Sequence, residues 1–171
     1  MQLHARSKQT ELLADAAALH AAVSELVRLY QVRDREKICC HDISVTQCSA
    51  LEALVERGAM RSQQLAAVLM LDKSTTTRVV DALVRKGHVE RTPDLEDRRA
   101  VSLRVSRSGR RLYDRINQEL IAQQAELLRD LDPKLRNGVT DVIRRLAAAA
   151  DARFRADGSS CAARPQEGCC G

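Results

Sequence analysis

A chain of 171 residues is long enough for one domain with a real core, alone or with helical extensions. Trp is absent and the only aromatics are Tyr30, Tyr113 and Phe154, so the core must be aliphatic. No apolar run approaches bilayer length, and the N-terminus MQLHARSKQTE lacks the hydrophobic region of a signal peptide. These features exclude a membrane-spanning class and predict a cytoplasmic protein. The net charge of +5 is unevenly spread: from Arg61 to Arg111 there are twelve Lys and Arg against six Asp and Glu, while the segments before and after are close to balance. A positive surplus confined to the middle third is what contact with phosphates there, and with protein on either side, would require.

The first helix is predicted from about Lys8 to Arg33, with Leu12, Leu13, Ala16, Leu19, Val23, Leu26, Val27 and Tyr30 forming an apolar stripe. The segment DREKICCHDIS breaks that pattern. A second helix is expected to begin at Thr46, run through Gln47, Leu51, Leu54 and Val55, and end at Gly58. Ser62 to Val105 then follows the order helix, tight turn, helix, two-stranded hairpin, which is a winged helix-turn-helix. Asp72 can cap the second of these helices, because its carboxylate can accept from an unpaired amide and its charge suits a helix N-terminus. Gly87 follows its last periodic residue, where a left-handed cap is easiest without a Cβ.

Between Asp72 and Gly87, residues Thr76, Val79, Val80, Leu83 and Val84 recur on one face, and Ser74, Thr75, Arg78, Ala82 and Arg85 on another. The first is a core face and the second can meet DNA. Thr75, Thr76 and Thr77 are modest helix formers whose hydroxyls can bond phosphates or base edges, though capping and packing would account for them as well. In the hairpin, Val89 and Arg91 start one strand, and Val101, Leu103 and Val105 alternate with Ala100, Ser102 and Arg104 in the other. The turn PDLEDRR places Arg98 and Arg99 at or near the tip, within reach of a phosphate or a narrow minor groove.

After the wing, Ser106 or Ser108 can cap a long helix holding Leu112, Ile116, Leu120, Ile121, Leu127, Leu128 and Leu131. Asp132 and Pro133 then form a cap followed by proline at the first helical position. The last helix carries Leu135, Val139, Val142, Ile143 and Leu146, followed by alanines 147–150. These helices have more apolar stripe than one reading head can cover, and a partner chain would cover the rest. The predicted class is mainly α with a small β-hairpin wing, the winged helix-turn-helix flanked by long N- and C-terminal dimerisation helices. That domain is assigned to residues 1–157, with the DNA-reading segment at about 61–111 and a Cys-rich tail, expected to be flexible, at 158–171.

The stretches LAAVLMLDKSTTTRVVDALVRKGHVER and DRRAVSLRVSRSGR resemble the MarR family of homodimeric winged-helix transcription regulators. The resemblance implies Ser74, Thr75, Thr76 and Arg78 at the major groove, and Asp97, Arg98 and Arg99 as a wing-tip pattern in which the acid orients the arginines. With them, Lys73, Arg85 and Arg91 complete the expected DNA-binding set. A homodimer on a pseudo-palindromic operator in double-stranded DNA follows from the same resemblance. Met70 departs from it, standing in a turn where many relatives have glycine. A bulky residue resists positive φ there, so a slightly different turn is expected.

Six cysteines fall in two mirrored groups: Cys39, Cys40 and Cys48, then Cys161, Cys169 and Cys170. Clustered cytosolic cysteines point to metal or redox chemistry more than to structural disulfides. Three thiolates suit As(III) or Sb(III), and four, or three plus His41, suit Zn(II). The spacing matches no zinc-ribbon pattern. The expected activity is therefore effector-controlled repression of transcription, without a required cofactor, the effector being a thiophilic metal or metalloid, a thiol oxidant or a small aromatic acid. A scavenger that binds metal without operator binding is the alternative of a different class, and Cys48 as a simple core residue is the alternative role for that thiol. No nucleophile elbow, phosphate loop or acid–base constellation is present in the sequence, so no enzyme activity is expected.

Overall fold

The computed structural model describes residues 2–94 and 100–156, with side chains from 8 to 94 and from 100 to 153. Asp97, Arg98 and Arg99, the tail assigned to 158–171 and its three cysteines lie outside the described residues. The chain divides into two units after Leu120.

The first unit opens with α1 (Gln2–Cys39), which runs past the expected end at Arg33. The charged segment does not break it because Ile38, at its end, and Ile43, just beyond, are both buried in the core and anchor the last turn. A tight turn follows, in which the amides of His41 and Asp42 donate to the carbonyls of Ile38 and Cys39. Ser44 then caps α2 (Val45–Arg57): its hydroxyl accepts from the Gln47 amide while the Gln47 side chain accepts from the Ser44 amide, a reciprocal capping box. Gly58 terminates α2 at φ +82°, as its position in the sequence predicts.

Met60 and Arg61 form β1, α3 spans Ser62–Leu69 and α4 spans Lys73–Arg85; β2 (Val89–Pro93) and β3 (Val101–Val105) form the wing. The strand order is β1-β3-β2, antiparallel throughout, with Met60 opposite Leu103 and Val89 opposite Val105. Strand β1 was not expected, since two residues are too few to carry a period. The alternation in β3 is also altered. Leu103 is buried, but Val101 is 52% exposed and Ser102 is buried in its place. Ser102 faces inward because its hydroxyl donates to Asp94 Oδ2 at 2.5 Å.

Helix α5 (Arg107–Leu128) starts in the first unit, with Ser106 Oγ accepting from the Gly109 amide at its cap. The helix ends at Leu128, short of the expected Leu131. The core beneath the reading head is aliphatic, built from Leu51, Leu54, Leu65, Val80, Leu83, Val89, Leu103 and Ile116. Tyr113, on α5, is the one aromatic residue in that buried set, its hydroxyl 3.4 Å from Glu52.

The second unit contains the end of α5 and α6 (Pro133–Ala156), which Asp132 opens by accepting from the Lys134 amide. Leu135, Val142 and Ile143 of α6 are exposed. In the first unit, Leu12, Leu13, Leu19, Val23, Leu26 and Val27 of α1 are exposed too, Leu12 by 61%. No helix among the described residues is long and apolar enough to cross a membrane.

Candidate nucleic-acid interface

The position of α4 is set by what it buries. Thr76, Val79, Val80 and Leu83, spaced at three and four residues, pack into the core, so the opposite face is turned out. Its N-terminus is fixed by Asp72, which accepts from the Thr75 amide at 2.8 Å, from Thr75 Oγ1 at 2.6 Å and from Ser74 Oγ at 2.7 Å. These donors, the Thr75 hydroxyl first and the Ser74 hydroxyl next, hold the Asp72 carboxyl well below the usual carboxylate range.

The turn that delivers the chain from α3 to α4 passes through Met70 at φ +53°, ψ +40°. The turn keeps the left-handed conformation that glycine would take most easily, so the different turn expected at Met70 is not formed. The side chain is 73% exposed and meets little resistance beyond its own backbone strain. Beyond α4, Gly87 takes φ +71°, as its place after the last periodic residue requires.

Of the expected contacts, Lys73, Ser74, Arg78 and Arg85 are exposed on α4 and Thr75 is half-buried beside them. The Ser74 and Thr75 hydroxyl hydrogens are committed to Asp72, which leaves their oxygens free to accept. Thr76 is corrected: it is fully buried, and its Oγ1 donates to the Asp72 carbonyl at 2.9 Å. Its spacing with the core valines outweighs the resemblance that placed it at the groove. Thr77 is exposed next to Arg78, bonded through Oγ1 to the Lys73 carbonyl, and joins the candidate face in its place.

One contact ties the wing to this face and a second braces the sheet itself. Arg91 on β2 donates to Asp81 on α4 at 2.5 Å, so it acts first as a strut between wing and helix. Arg61 grips Asp94 with two bonds of 3.2 and 2.9 Å, and Ser102 donates to the same carboxylate. Asp94 thus joins the end of β2 to β1 and β3. Sequence reasoning missed this junction because its members are 33 and 8 residues apart and Ser102 has the signature of an outward position. It also passed over Arg104, Arg107 and Arg111, which line an open recess of about 550 Å³ beside the start of α5.

The three described cysteines are not gathered as one ligand set. Cys39 and Cys40 are exposed at the end of α1, whereas Cys48 is buried on the inner face of α2. Burial, reinforced by the charges of Glu52 and Asp34, pushes the Cys48 thiol up to about 11, which disfavours the thiolate a metal needs. Among the described residues no group of three or more His, Cys, Asp or Glu is placed to hold a metal ion. His41 instead lies 3.3 Å from Glu119 of α5. His88 is shifted down, first by burial and then by the charge of Lys86.

Comparison with known proteins agrees with this geometry. The MarR family model matches residues 43–101, from the last turn before α2 to the start of β3. The uncharacterized HTH-type transcriptional regulator YsmB of Bacillus subtilis (strain 168) is 31% identical over 125 residues, covering 73% of this chain and 81% of that protein. The crystal structure of MarR is 26% identical with a TM-score of 0.69, covering 81% of this chain and 94% of its own. A MarR family protein from Bacillus stearothermophilus shares the fold at 24% identity, with a TM-score of 0.74 over 80% of this chain and 95% of that one. An α4 turned outward beneath a braced wing, with homologues of this kind, identifies the chain as a member of the MarR family, a DNA-binding transcriptional regulator.

Proposed function

We propose that the protein is a homodimeric repressor that lays two copies of α4 on a pseudo-palindromic operator. The observation that carries the dimer is the run of exposed leucines and valines along α1, with exposed Leu135, Val142 and Ile143 on α6. Faces of that size on a DNA-binding regulator call for a partner, and a second copy is the partner that also gives a DNA site two-fold symmetry. Lys73, Ser74, Thr75, Thr77, Arg78 and Arg85 supply phosphate and base-edge contacts on α4. The wing supplies flanking contacts, with Asp97, Arg98 and Arg99 as its tip.

Two copies of α4 related by a dyad read half-sites about one helical turn apart, roughly 34 Å centre to centre. An effector that alters the geometry of one subunit against the other then prevents both helices from fitting together. The exposed pair Cys39 and Cys40 is the effector site this reading favours over a pocket for an aromatic acid. Light scattering combined with fluorescence anisotropy on the duplex upstream of the protein's own gene tests the proposal. The expected result is a dimer that binds as two chains per duplex, with a log–log salt slope near −0.9 per neutralised phosphate. A monomer, or a dimer indifferent to that duplex at low salt, would refute it.

A further inference from the structure

We propose that Cys39 and Cys40 form a binding site for a trivalent thiophilic metalloid, and that its occupancy is transmitted to the end of α4 through Asp42 and Lys86. The transmission to DNA rests on the repressor reading above; the binding site does not. Both thiols are exposed, at the last residue of α1 and the first of the turn after it. Cys40 Sγ donates to the Glu36 carbonyl at 3.0 Å, so it lies back along its own helix. Cys39 closes α1 and Cys40 opens the turn, so ligation that takes the Cys40 thiol proton breaks its bond to the Glu36 carbonyl and rearranges the turn to bring both sulfurs onto one atom.

That turn is wired to the reading head. The Asp42 amide donates to the Cys39 carbonyl at 3.1 Å, and Asp42 holds a left-handed conformation at φ +57°. Lys86, the C-cap of α4, spans the gap: its ammonium donates to the Asp42 carbonyl and lies 3.1 Å from Asp42 Oδ2. Opening residues 39 to 42 therefore removes both attachments of Lys86 at once. The adjacent His41 contact with Glu119 gives the same turn a hold on α5. Cys48 takes no part, being buried in the core with its thiol pushed up.

The chemistry needs two protein ligands and no redox partner. A trivalent aryl arsenic oxide exchanges its As–O bonds for two As–S bonds, and both thiol protons leave with the oxygen as water. The aryl carbon fills the third position on arsenic; for arsenite a hydroxide does so. A soft metalloid suits soft thiolates, and a two-thiol site is compatible with the absence of a three-ligand cluster among the described residues.

Phenylarsine oxide is the probe. Cys169 and Cys170 are a second adjacent pair in the sequence, so the test uses the full chain carrying Cys161→Ser, Cys169→Ser and Cys170→Ser. Native mass spectrometry without DNA is expected to show one phenylarsine bridge per chain, and operator affinity is expected to fall by about tenfold or more, within the usual range of allosteric coupling. Adding Cys39→Ser should abolish uptake and release together. Adding Lys86→Gln should leave uptake intact and remove most of the release. No uptake, or release that survives Cys39→Ser, overturns the site; full release in the Lys86→Gln chain overturns the route. Uptake by a chain that never binds operator would uphold the site and refute the repressor reading instead.

Discussion

Gly109 is the residue at which the account of the reading head is most sharply exposed. It lies in the first turn of α5, where a Cβ would stand 2.1 Å from the carbonyl oxygen of His88 and 2.9 Å from its carbonyl carbon. Both obstacles are backbone, so no side chain can swing aside, and in Gly109→Ala the start of α5 must back away by roughly 1.5 Å to restore an ordinary van der Waals contact. Three hydrogen bonds close that junction: Ser106 N to His88 O at 3.0 Å, and Ser106 Oγ and Ser108 Oγ to Gly87 O, each at 2.7 Å. At about 1 kcal/mol apiece their loss costs about 3 kcal/mol. Alanine's better helix propensity returns about 1 kcal/mol. The net destabilisation is about 2 kcal/mol, or a Tm lower by roughly 4–8 °C for a chain of this size. Urea unfolding at fixed chain concentration measures it, the concentration being held because dimerisation contributes to stability. A variant as stable as the parent would refute the close packing of α5 against the α4–β2 turn.

Four further variants probe the reading head. Thr76→Val should leave operator affinity unchanged, because the hydroxyl it removes is buried, whereas Arg78→Ala should weaken operator binding by about 1–3 kcal/mol in an anisotropy titration. Asp72 has a folded-state pKa below its ordinary 3.8, so the unfolded chain binds more protons. Its contribution is full above that ordinary value and disappears as pH falls towards the folded one. Asp72→Asn preserves the cap and should remove that part of the acid dependence in urea unfolding across the acid range. Met70→Gly should raise the urea midpoint. The left-handed φ costs a non-glycine residue about 1–2 kcal/mol, and the freer unfolded glycine cancels part of the relief, leaving about 0.5 kcal/mol.

What could be seen in the sequence was whatever is written locally. Asp72 and Gly87 bracket α4 because a cap and a left-handed exit each depend on one residue and its near neighbours. The core face of α4 was visible for the same reason, and the spacing of Thr76 with Val79, Val80 and Leu83 was better evidence than family likeness. The features that escaped are decided at a distance. Strand β1 exists because β3 lies opposite it, Ser102 turns inward because Arg61 holds Asp94 there, and α1 runs on to Cys39 because Ile38 finds the core. The cysteines show the same limit from another side: Cys39, Cys40 and Cys48 formed one of two groups in the sequence, but helix periodicity sends Cys48 into the core and leaves the adjacent pair outside.

The central claim is that two copies of α4 act together on DNA with two-fold symmetry. Selection of duplexes from a random pool by the purified protein tests it whatever the operator sequence. Enriched duplexes should carry an inverted repeat with half-site centres about 10 base pairs apart. Enrichment of single, unrepeated sites, or no enrichment at all, would contradict it.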